Sequence, residues 1–301
     1  MAQTIGFIGL GNMGGPMAAN LVKAGYAVRG FDLAPASLET ARADGVTVAG
    51  SGLEAADGAD IVVTMLPAGK HVVEVWTQLT ETVSPGTLLI DSSTVDVESS
   101  RRAHALAGAR GCPSIDAPVS GGTGGAKAGT LTFMAGGATE AFAHAEPILK
   151  AMGRNVFHCG EAGAGQAAKI CNNMMLGISM IGVCEAFALG EKLGLSHEAL
   201  YDVASVSSGQ CWSLTTYCPV PGPVPTSPAN TGYKPGFAAA LMLKDLRLAQ
   251  AAALASNAST PLGAEAAQIY GLFDSLGHGG EDFSAIIRML RGEDRKTGGA
   301  T

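Results

Sequence analysis

A glycine-rich turn near the start of the chain most constrains its fold. Residues 5–16 read IGFIGLGNMGGP, in which Gly9, Gly11 and Gly14 follow a short apolar run in the spacing G-x-G-x-x-G. The first glycine permits a tight turn, the second admits a pyrophosphate close to the backbone, and the third lets the next helix pack on the strand. Asp32 ends a second apolar run and could accept a hydrogen bond from a ribose hydroxyl. The pattern predicts a βαβ unit that binds a dinucleotide.

The composition excludes several classes of protein. The chain has 301 residues, enough for two domains with separate cores, and its net charge of −7 offers no basic surface to nucleic acid. The longest uncharged apolar stretch, 170–184, is too short to span a bilayer, so we predict no membrane segment. The cysteines and histidines show no metal-binding or C-x-x-C spacing, and the first predicted strand leaves no room for a leader. We therefore predict a cytoplasmic protein without a metal site.

The order of the apolar runs predicts two kinds of domain. In the first half, short runs that read as strands alternate with helical stretches, which predicts a parallel, doubly wound sheet. The predicted strands are 4–8, 27–31, 47–49, 61–65, 87–91, 114–116, 131–135 and 156–158. Beyond Gly194 the signals are helical only. Between the two parts, the stretch 165–193 contains no proline and is apolar on nearly every face, which predicts a long buried helix.

These signals predict an α/β protein: an N-terminal Rossmann-type domain with a doubly wound sheet, joined by a long interdomain helix to an all-α C-terminal domain. The expected limits are 1–163 for the dinucleotide-binding domain, 164–194 for the helix, and 195–301 for the domain of substrate and oligomer contacts. Ligands of such sheets bind at the carboxyl ends of the strands. Polar or glycine-rich loops follow several predicted strands, at 9–14, 66–67, 92–94 and 118–125.

Two polar residues inside the long apolar helix are candidates for chemistry. Lys169 and Asn173 are four residues apart and therefore share a helix face. Because burial of such groups is costly, their presence needs a reason. Alternatively, Lys169 reaches solvent from a helix end and Asn173 serves a neighbouring loop. Lys244 with Asp245, a charged pair in another apolar stretch, leaves the same choice between chemistry and a structural ion pair.

The loop after the predicted strand 114–116 is a candidate anion site. Residues 116–125 read DAPVSGGTGG, and successive N–H groups around Ser120, Gly121 and Gly122 can surround a carboxylate. An ordinary flexible loop is the alternative. The loop is neither a P-loop, since no Gly-Lys-Ser/Thr follows, nor a nucleophile elbow, since Pro118 occupies the first glycine position.

Four blocks of the chain resemble, in order and spacing, the signatures of the β-hydroxyacid dehydrogenase family: 5–20, 116–137, 163–176 and 241–249. Segments 207–222, 228–230 and 269–270 are similar to the branch of that family that oxidises 3-hydroxyisobutyrate. The resemblance covers nearly the whole chain. It implies NAD-dependent oxidation of a small 3-hydroxy acid to a semialdehyde, a place in valine breakdown, and a homodimer or homotetramer.

The resemblance also implies roles for individual residues. Lys169 matches the catalytic general acid/base, and Asn173 matches the residue that orients the substrate. The other implied substrate contacts are Ser120, Gly121, Gly122 and Lys244. The implied cofactor contacts are Gly9, Leu10, Gly11, Asn12, Met13, Gly14, Asp32, Leu66, Pro67, Thr94 and Lys244.

Asp32 favours NAD over NADP, because a carboxylate repels a 2′-phosphate and residues 33–36 contain no arginine or lysine. Three other functions remain open. Another member of the family would act on 3-hydroxypropionate, tartronate, glyoxylate or succinic semialdehyde, and the residues after Gly209 would discriminate. A methyltransferase could use the glycine turn, but it has no need of Lys169 and Asn173. A non-catalytic NAD-binding module would bind the cofactor without turnover.

Overall fold

The computed structural model describes residues 3–293. Its chain separates into two compact units, Met1–Lys169 and Ile170–Thr301. The last eight residues of the predicted domain 195–301 lie outside the described residues, and the predicted limits at 163 and 194 stay a prediction.

Unit 1 contains one nine-stranded sheet and the helices that connect its strands. The strands are β1 (Thr4–Ile8), β2 (Ala27–Phe31), β3 (Thr47–Val48), β4 (Ile61–Thr64), β5 (Leu88–Asp91), β6 (Ser114–Asp116), β7 (Val119–Ser120), β8 (Leu131–Gly136) and β9 (Gly153–Gly160). The helices are α1 (Gly14–Lys23), α2 (Pro35–Ala43), α3 (Gly52–Ala56), α4 (Gly69–Thr82), α5 (Val97–Ala109), α6 (Gly122–Ala128) and α7 (Thr139–Met152). Seven of the eight predicted strands agree within one residue at each end, whereas β9 is longer than predicted.

The sheet is parallel only in part. Strands β3, β2, β1, β4, β5 and β6 follow in that order and pair in parallel. Strand β8 pairs antiparallel with β6 and β7 and parallel with β9, so the prediction of a wholly parallel sheet is wrong at this edge. A parallel crossover needs a dozen or more residues. The connection 121–130 between β7 and β8 is shorter, and the chain therefore returns antiparallel.

The carboxyl ends of the parallel strands form one row. Phe31, Ile8, Thr64, Asp91 and Asp116 are the last residues of their strands and pair with one another in that order. The glycine turn leaves β1 between β2 and β4, where the strand order reverses, which is the position at which such sheets bind ligands. The loops that carry the predicted cofactor and substrate contacts of this unit therefore start along a single edge of the sheet.

In the rest of the described chain, helices are the only regular secondary structure, as predicted. Helix α8 (Ala164–Lys192) contains Lys169 and Asn173 and is followed by α9 (His197–Ser205), α10 (Trp212–Thr215), α11 (Ala239–Ala255), α12 (Pro261–Phe273) and α13 (Ile286–Arg291). Short 3₁₀ turns occupy Pro228–Thr231 and Phe283–Ala285, and a π turn occupies Asp274–His278. The Ser196 hydroxyl accepts the N–H of Ala199 and caps α9.

Helix α8 is less buried than its sequence predicts. Met175 and Leu189 on this helix are 59% and 61% exposed, so the prediction of a helix buried on every face is wrong for the single chain. By length and composition, α8 is also the one helix in the described part that could cross a membrane, and 39% of its most apolar window is buried. An all-apolar helix indicates burial, but the sequence does not say whether the covering surface belongs to the same chain.

Buried Asp282 organises the irregular segment that precedes α11. Its Oδ2 accepts hydrogen bonds from the Tyr217 hydroxyl at 2.8 Å and from the N–H groups of Gly236 and Phe237 at 3.0 and 3.1 Å. Its Oδ1 accepts from the N–H and hydroxyl of Ser284. Burial, and after it the charge of Asp282, raise the pKa of the Tyr217 phenol well above its ordinary value. The segment is thus anchored by one carboxylate.

Candidate active site

The three fingerprint glycines have the surroundings that their predicted roles require. A Cβ on Gly9 would lie 2.2 Å from the Met65 carbonyl oxygen, and one on Gly14 would lie 1.9 Å from the Gly9 carbonyl oxygen. A Cβ on Gly11 would meet nothing within 4 Å. The first and third glycines are therefore needed for packing, while the second faces open space that a pyrophosphate could occupy. The turn fits a dinucleotide.

Asp32 is held beside this turn by its own hydrogen bonds. Its Oδ2 accepts the N–H of Leu10 at 2.7 Å, and its Oδ1 accepts the N–H of Ala34 at 2.8 Å. The half-buried carboxylate thus lies next to the glycine turn, as the ribose contact requires. Asn12 and Met13, the other predicted contacts of the turn, are exposed and half-buried.

A buried network joins the ends of β4 and β5. Asp91 Oδ1 accepts the hydroxyls of Thr64 at 2.7 Å and Ser93 at 2.6 Å, and Thr64 in turn accepts the indole N–H of Trp76. The Ser93 hydroxyl oxygen accepts the N–H of Leu66 at 2.7 Å. Burial raises the pKa of Asp91 to about 6, against the hydrogen bonds from Ser93 and Thr64, which lower it. The network connects two segments predicted to contact the cofactor, Leu66-Pro67 and the half-buried Thr94.

A second buried carboxylate joins β6 to the start of α8. Asp116 Oδ1 accepts the N–H of Gly163 at 2.8 Å, and Oδ2 accepts the N–H of Gln166 at 2.9 Å. His104 Nε2 lies 2.9 Å from Asp116 Oδ1, and its Nδ1 lies 2.8 Å from the Ser114 hydroxyl. A carboxylate at a helix N-terminus satisfies free N–H groups and favours the helix dipole. Asp116 therefore anchors the helix that carries Lys169.

The predicted carboxylate-binding loop begins at the same strand. Ser120 lies at the end of β7, and Gly121 precedes the short helix α6 with a φ of 130°, which a residue with a side chain rarely adopts. Gly122 begins α6 and also has positive φ, at 60°. Ser120 and Gly122 are half-buried and Gly121 is exposed. The backbone N–H groups of this turn are thus placed at the carboxyl edge of the sheet.

The two polar residues of α8 are both buried. Lys169 is 6% and Asn173 is 2% exposed, which contradicts a lysine that extends into solvent from a helix end. In unit 2, the Asn173 side-chain N–H donates to Asp245 Oδ2 at 2.6 Å, and Asn172 donates to Asn173 Oδ1 at 3.0 Å. Asp245 thereby orients Asn173. Lys244, the neighbour of Asp245 in α11, is half-buried.

The structure thus groups the predicted residues of unit 1 along the carboxyl edge of the sheet, with Lys169 in the helix anchored there. Asn173 and Lys244 belong to unit 2. Within residues 3–293, no group of three or more His, Cys, Asp or Glu side chains is placed to hold a metal ion.

Comparisons with known proteins identify the family of this chain. Residues 4–160 match the model of the NAD-binding domain of 6-phosphogluconate dehydrogenase. Residues 163–290 match the model described as the NAD-binding region of NADP-dependent 3-hydroxyisobutyrate dehydrogenase. A 3-hydroxyisobutyrate dehydrogenase of Pseudomonas aeruginosa is 51% identical over 295 residues, which cover 96% of this chain and 99% of the relative. The chain belongs to the β-hydroxyacid dehydrogenase family.

Two further members of the family concern the substrate. An NAD-dependent L-serine dehydrogenase of Pseudomonas aeruginosa is 48% identical over 291 residues, 96% of this chain and 98% of that protein. The solved structure of Mycobacterium tuberculosis 3-hydroxyisobutyrate dehydrogenase with L-serine has a TM-score of 0.94 and 54% identity, and the match covers 97% of this chain and all of that one. The family and the fold are confirmed, and unit 1 is an NAD(P)-binding domain.

Sequence reasoning did not identify the hydrogen-bonding roles of four residues that position the predicted contacts, each within its own unit. They are Asp91, Asp116, Gln166 and Asp245. The two aspartates at the ends of predicted strands carried a usable signal, because a carboxylate at the carboxyl end of a parallel strand lies beside the N–H groups of the next loop. Asp245 was singled out only as the neighbour of Lys244, and Gln166 carried no signal at all, since the hydrogen-bond partners of both are distant in sequence.

Replacement of Gly14 by alanine should lower stability, whereas replacement of Gly11 by alanine should weaken cofactor binding. We expect Gly14→Ala to lower the free energy of unfolding by about 1–3 kcal/mol or more, because the new Cβ overlaps the Gly9 carbonyl oxygen. Gly11→Ala should change it by less than about 0.5 kcal/mol but weaken NAD binding about tenfold or more. Urea denaturation and calorimetric titration with NAD measure both quantities. Equal stability of the two variants would contradict the assigned roles.

Stability should report the ionisation of Asp91. Its carboxyl has a pKa of about 6 when folded, against 3.8 as the ordinary value. The folded state therefore binds the proton more tightly, and the contribution to stability is complete below about pH 4 and is lost as the pH rises through 6. The total loss is about 3 kcal/mol. In Asp91→Asn this loss is absent, so the unfolding free energy of the variant relative to wild type should rise by most of that amount between pH 4 and pH 7.

Urea denaturation at several pH values measures the difference. Asp202→Asn, which changes an exposed carboxylate, is the matched control and should run parallel to wild type. A constant difference between Asp91→Asn and wild type from pH 4 to pH 7 would refute the assignment.

Proposed function

We propose that this chain oxidises 3-hydroxyisobutyrate to methylmalonate semialdehyde with NAD. The observation that carries the proposal is the buried amine of Lys169, in a helix whose first turn is anchored to the carboxyl edge of a dinucleotide-binding sheet. The relative from Pseudomonas aeruginosa, which bears the name of this activity, supports the substrate. A place in valine breakdown, in the cytoplasm, follows as part of the same proposal.

The residues of the chain would divide the work as follows. Lys169 accepts the proton of the substrate hydroxyl during oxidation and returns it to the forming alkoxide during reduction. The N–H groups of Ser120, Gly121 and Gly122 hold the substrate carboxylate, and Asn173, oriented by Asp245, holds the hydroxyl. The bound nicotinamide supplies a hydride acceptor. Lys244 would contact both ligands from α11.

L-Serine is the second candidate substrate. It carries the same carboxylate and hydroxymethyl groups, with an ammonium group in place of the methyl. The relative named NAD-dependent L-serine dehydrogenase and the solved structure with L-serine favour it. A site shaped for a methyl group lacks partners for an ammonium group, so discrimination of at least about tenfold between the two is expected.

Initial rates with four substrates and both nicotinamide cofactors would test the proposal. The substrates are 3-hydroxyisobutyrate, L-serine, 3-hydroxypropionate and succinic semialdehyde, the last with reduced cofactor. We expect the highest kcat/KM with 3-hydroxyisobutyrate and NAD, because Asp32 disfavours the 2′-phosphate of NADP. A higher value with L-serine would favour the second candidate. Similar efficiency with NAD and NADP would contradict the cofactor preference.

Removal of the Lys169 amine should stop turnover. In Lys169→Ala we expect kcat to fall about 10²- to 10⁴-fold, because general acid/base catalysis is lost. NAD affinity should stay within about twofold, since the glycine turn and Asp32 are untouched. Lys192→Ala, at the exposed end of the same helix, is the matched control. Steady-state rates and NAD titration measure the two quantities. Near-normal turnover of Lys169→Ala would contradict a catalytic role for the lysine.

We also propose that the protein forms a homodimer or homotetramer. Unit 2 carries twelve of the fifteen large hydrophobic residues that are exposed on the described chain, including Leu189, Val206 and Leu254. Exposed apolar surface of this extent is typical of protein contacts. Sedimentation equilibrium at micromolar concentration should give twice or four times the mass of one chain. The mass of a single chain would contradict the proposal.

A further inference from the structure

Gln166, in the first turn of α8, forms hydrogen bonds through both ends of its side-chain amide and through its backbone N–H. The side chain is fully buried, its Nε2 donates to the Ser93 carbonyl oxygen at 2.7 Å, and its Oε1 accepts the N–H of Val95 at 3.1 Å. Its backbone N–H donates to Asp116 Oδ2 at 2.9 Å. A buried amide is costly unless it is paired. Gln166 is therefore bound at once to the segment after β5 and to the end of β6.

The two side-chain bonds enclose Thr94. The Ser93 carbonyl and the Val95 N–H are the backbone groups on either side of that residue, so the Gln166 amide pairs with them as a neighbouring strand would. The position of the Thr94 backbone is thereby set by the helix. The Ser93 hydroxyl oxygen also accepts the N–H of Leu66, so the position of the Leu66-Pro67 segment depends on the same contacts.

Gln166 and Lys169 are three residues apart, one turn along α8, and therefore move as one rigid element. We propose that Gln166 is a positioning residue that holds the Thr94 segment at a fixed distance from the Lys169 amine; the family resemblance assigns Thr94 to the nicotinamide side of the cofactor. This inference rests on the proposed function, in which Lys169 transfers the proton, and on the cofactor contact that the family resemblance implies for Thr94. Since hydride and proton leave the same substrate, a small displacement between these two elements slows the reaction.

The amide pattern distinguishes this role from simple packing. Methionine has nearly the volume of glutamine but forms neither bond. Glutamate keeps an acceptor for the Val95 N–H, but its second oxygen faces the Ser93 carbonyl oxygen and repels it unless the carboxyl is protonated. Burial favours the protonated form. The glutamate variant should therefore recover both side-chain hydrogen bonds as the pH falls.

The experiment compares Gln166→Met, Gln166→Glu and Thr87→Val with wild type. Thr87→Val removes a buried hydrogen bond, to the Ala59 carbonyl, at the opposite end of β5, and so controls for a general loss of stability. In the protein without cofactor, hydrogen exchange of the Val95 amide should be about tenfold or more faster in Gln166→Met and unchanged in Thr87→Val.

With cofactor and substrate, kcat/KM of Gln166→Met should fall about 10- to 100-fold, and the primary deuterium isotope effect should rise as hydride transfer becomes limiting. NAD affinity should change by less than about threefold. The ratio of kcat/KM in Gln166→Glu to that in wild type should increase as the pH is lowered from 8 to 6. Thr87→Val should retain wild-type kinetics.

The outcomes separate the two proposals. If wild type oxidises none of the 3-hydroxy acids, the proposed function fails, while the exchange rate of the Val95 amide and the affinity for NAD still decide whether Gln166 holds this segment. If wild type is active, a Gln166→Met variant with the kinetics of Thr87→Val would overturn the positioning role. An unchanged Val95 exchange rate, or a pH-independent ratio for Gln166→Glu, would overturn it as well.

Discussion

The carboxylate of Asp116 is the interaction on which the arrangement of unit 1 depends. It ends β6, at the end of the row formed by the parallel strands, and accepts the N–H groups of Gly163, directly before α8, and of Gln166 in the first turn. Without it, free N–H groups at the start of a helix would be buried, at a cost comparable to a lost hydrogen bond for each. One side chain thus connects the sheet that binds the dinucleotide to the helix that carries Lys169.

Other aspartates repeat this device. Asp32 accepts an N–H of the turn after β1, and Asp91 accepts hydroxyl hydrogen bonds from the ends of β4 and β5. Asp282 anchors the irregular segment before α11. In each case a short side chain with two acceptor oxygens satisfies groups that a loop would otherwise leave unpaired. A chain with only 15% charged residues places several of its carboxylates inside, where they determine loop positions.

The agreement between sequence and structure was best where patterns are local. The glycine turn, the first six strands and the limits of α8 appear in the sequence as runs and spacings, and they were predicted within one residue at most ends. The antiparallel pairing of β7 and β8 was missed, because two residues are too few to show a period. The exposure of Met175 and Leu189 was also missed, since an apolar sequence predicts burial but not which surface, of the same chain or another, covers the helix.

The sequence by itself determined the dinucleotide fold, the family, and the choice of Lys169 and Asn173 as candidates, because each depends on residues close together in the chain. Only the tertiary structure decided which groups orient them. Gln166 reaches Val95 across 71 residues, and Asn173 reaches Asp245 across 72. Such hydrogen bonds depend on how distant segments close on one another, and no local pattern of residue types records that.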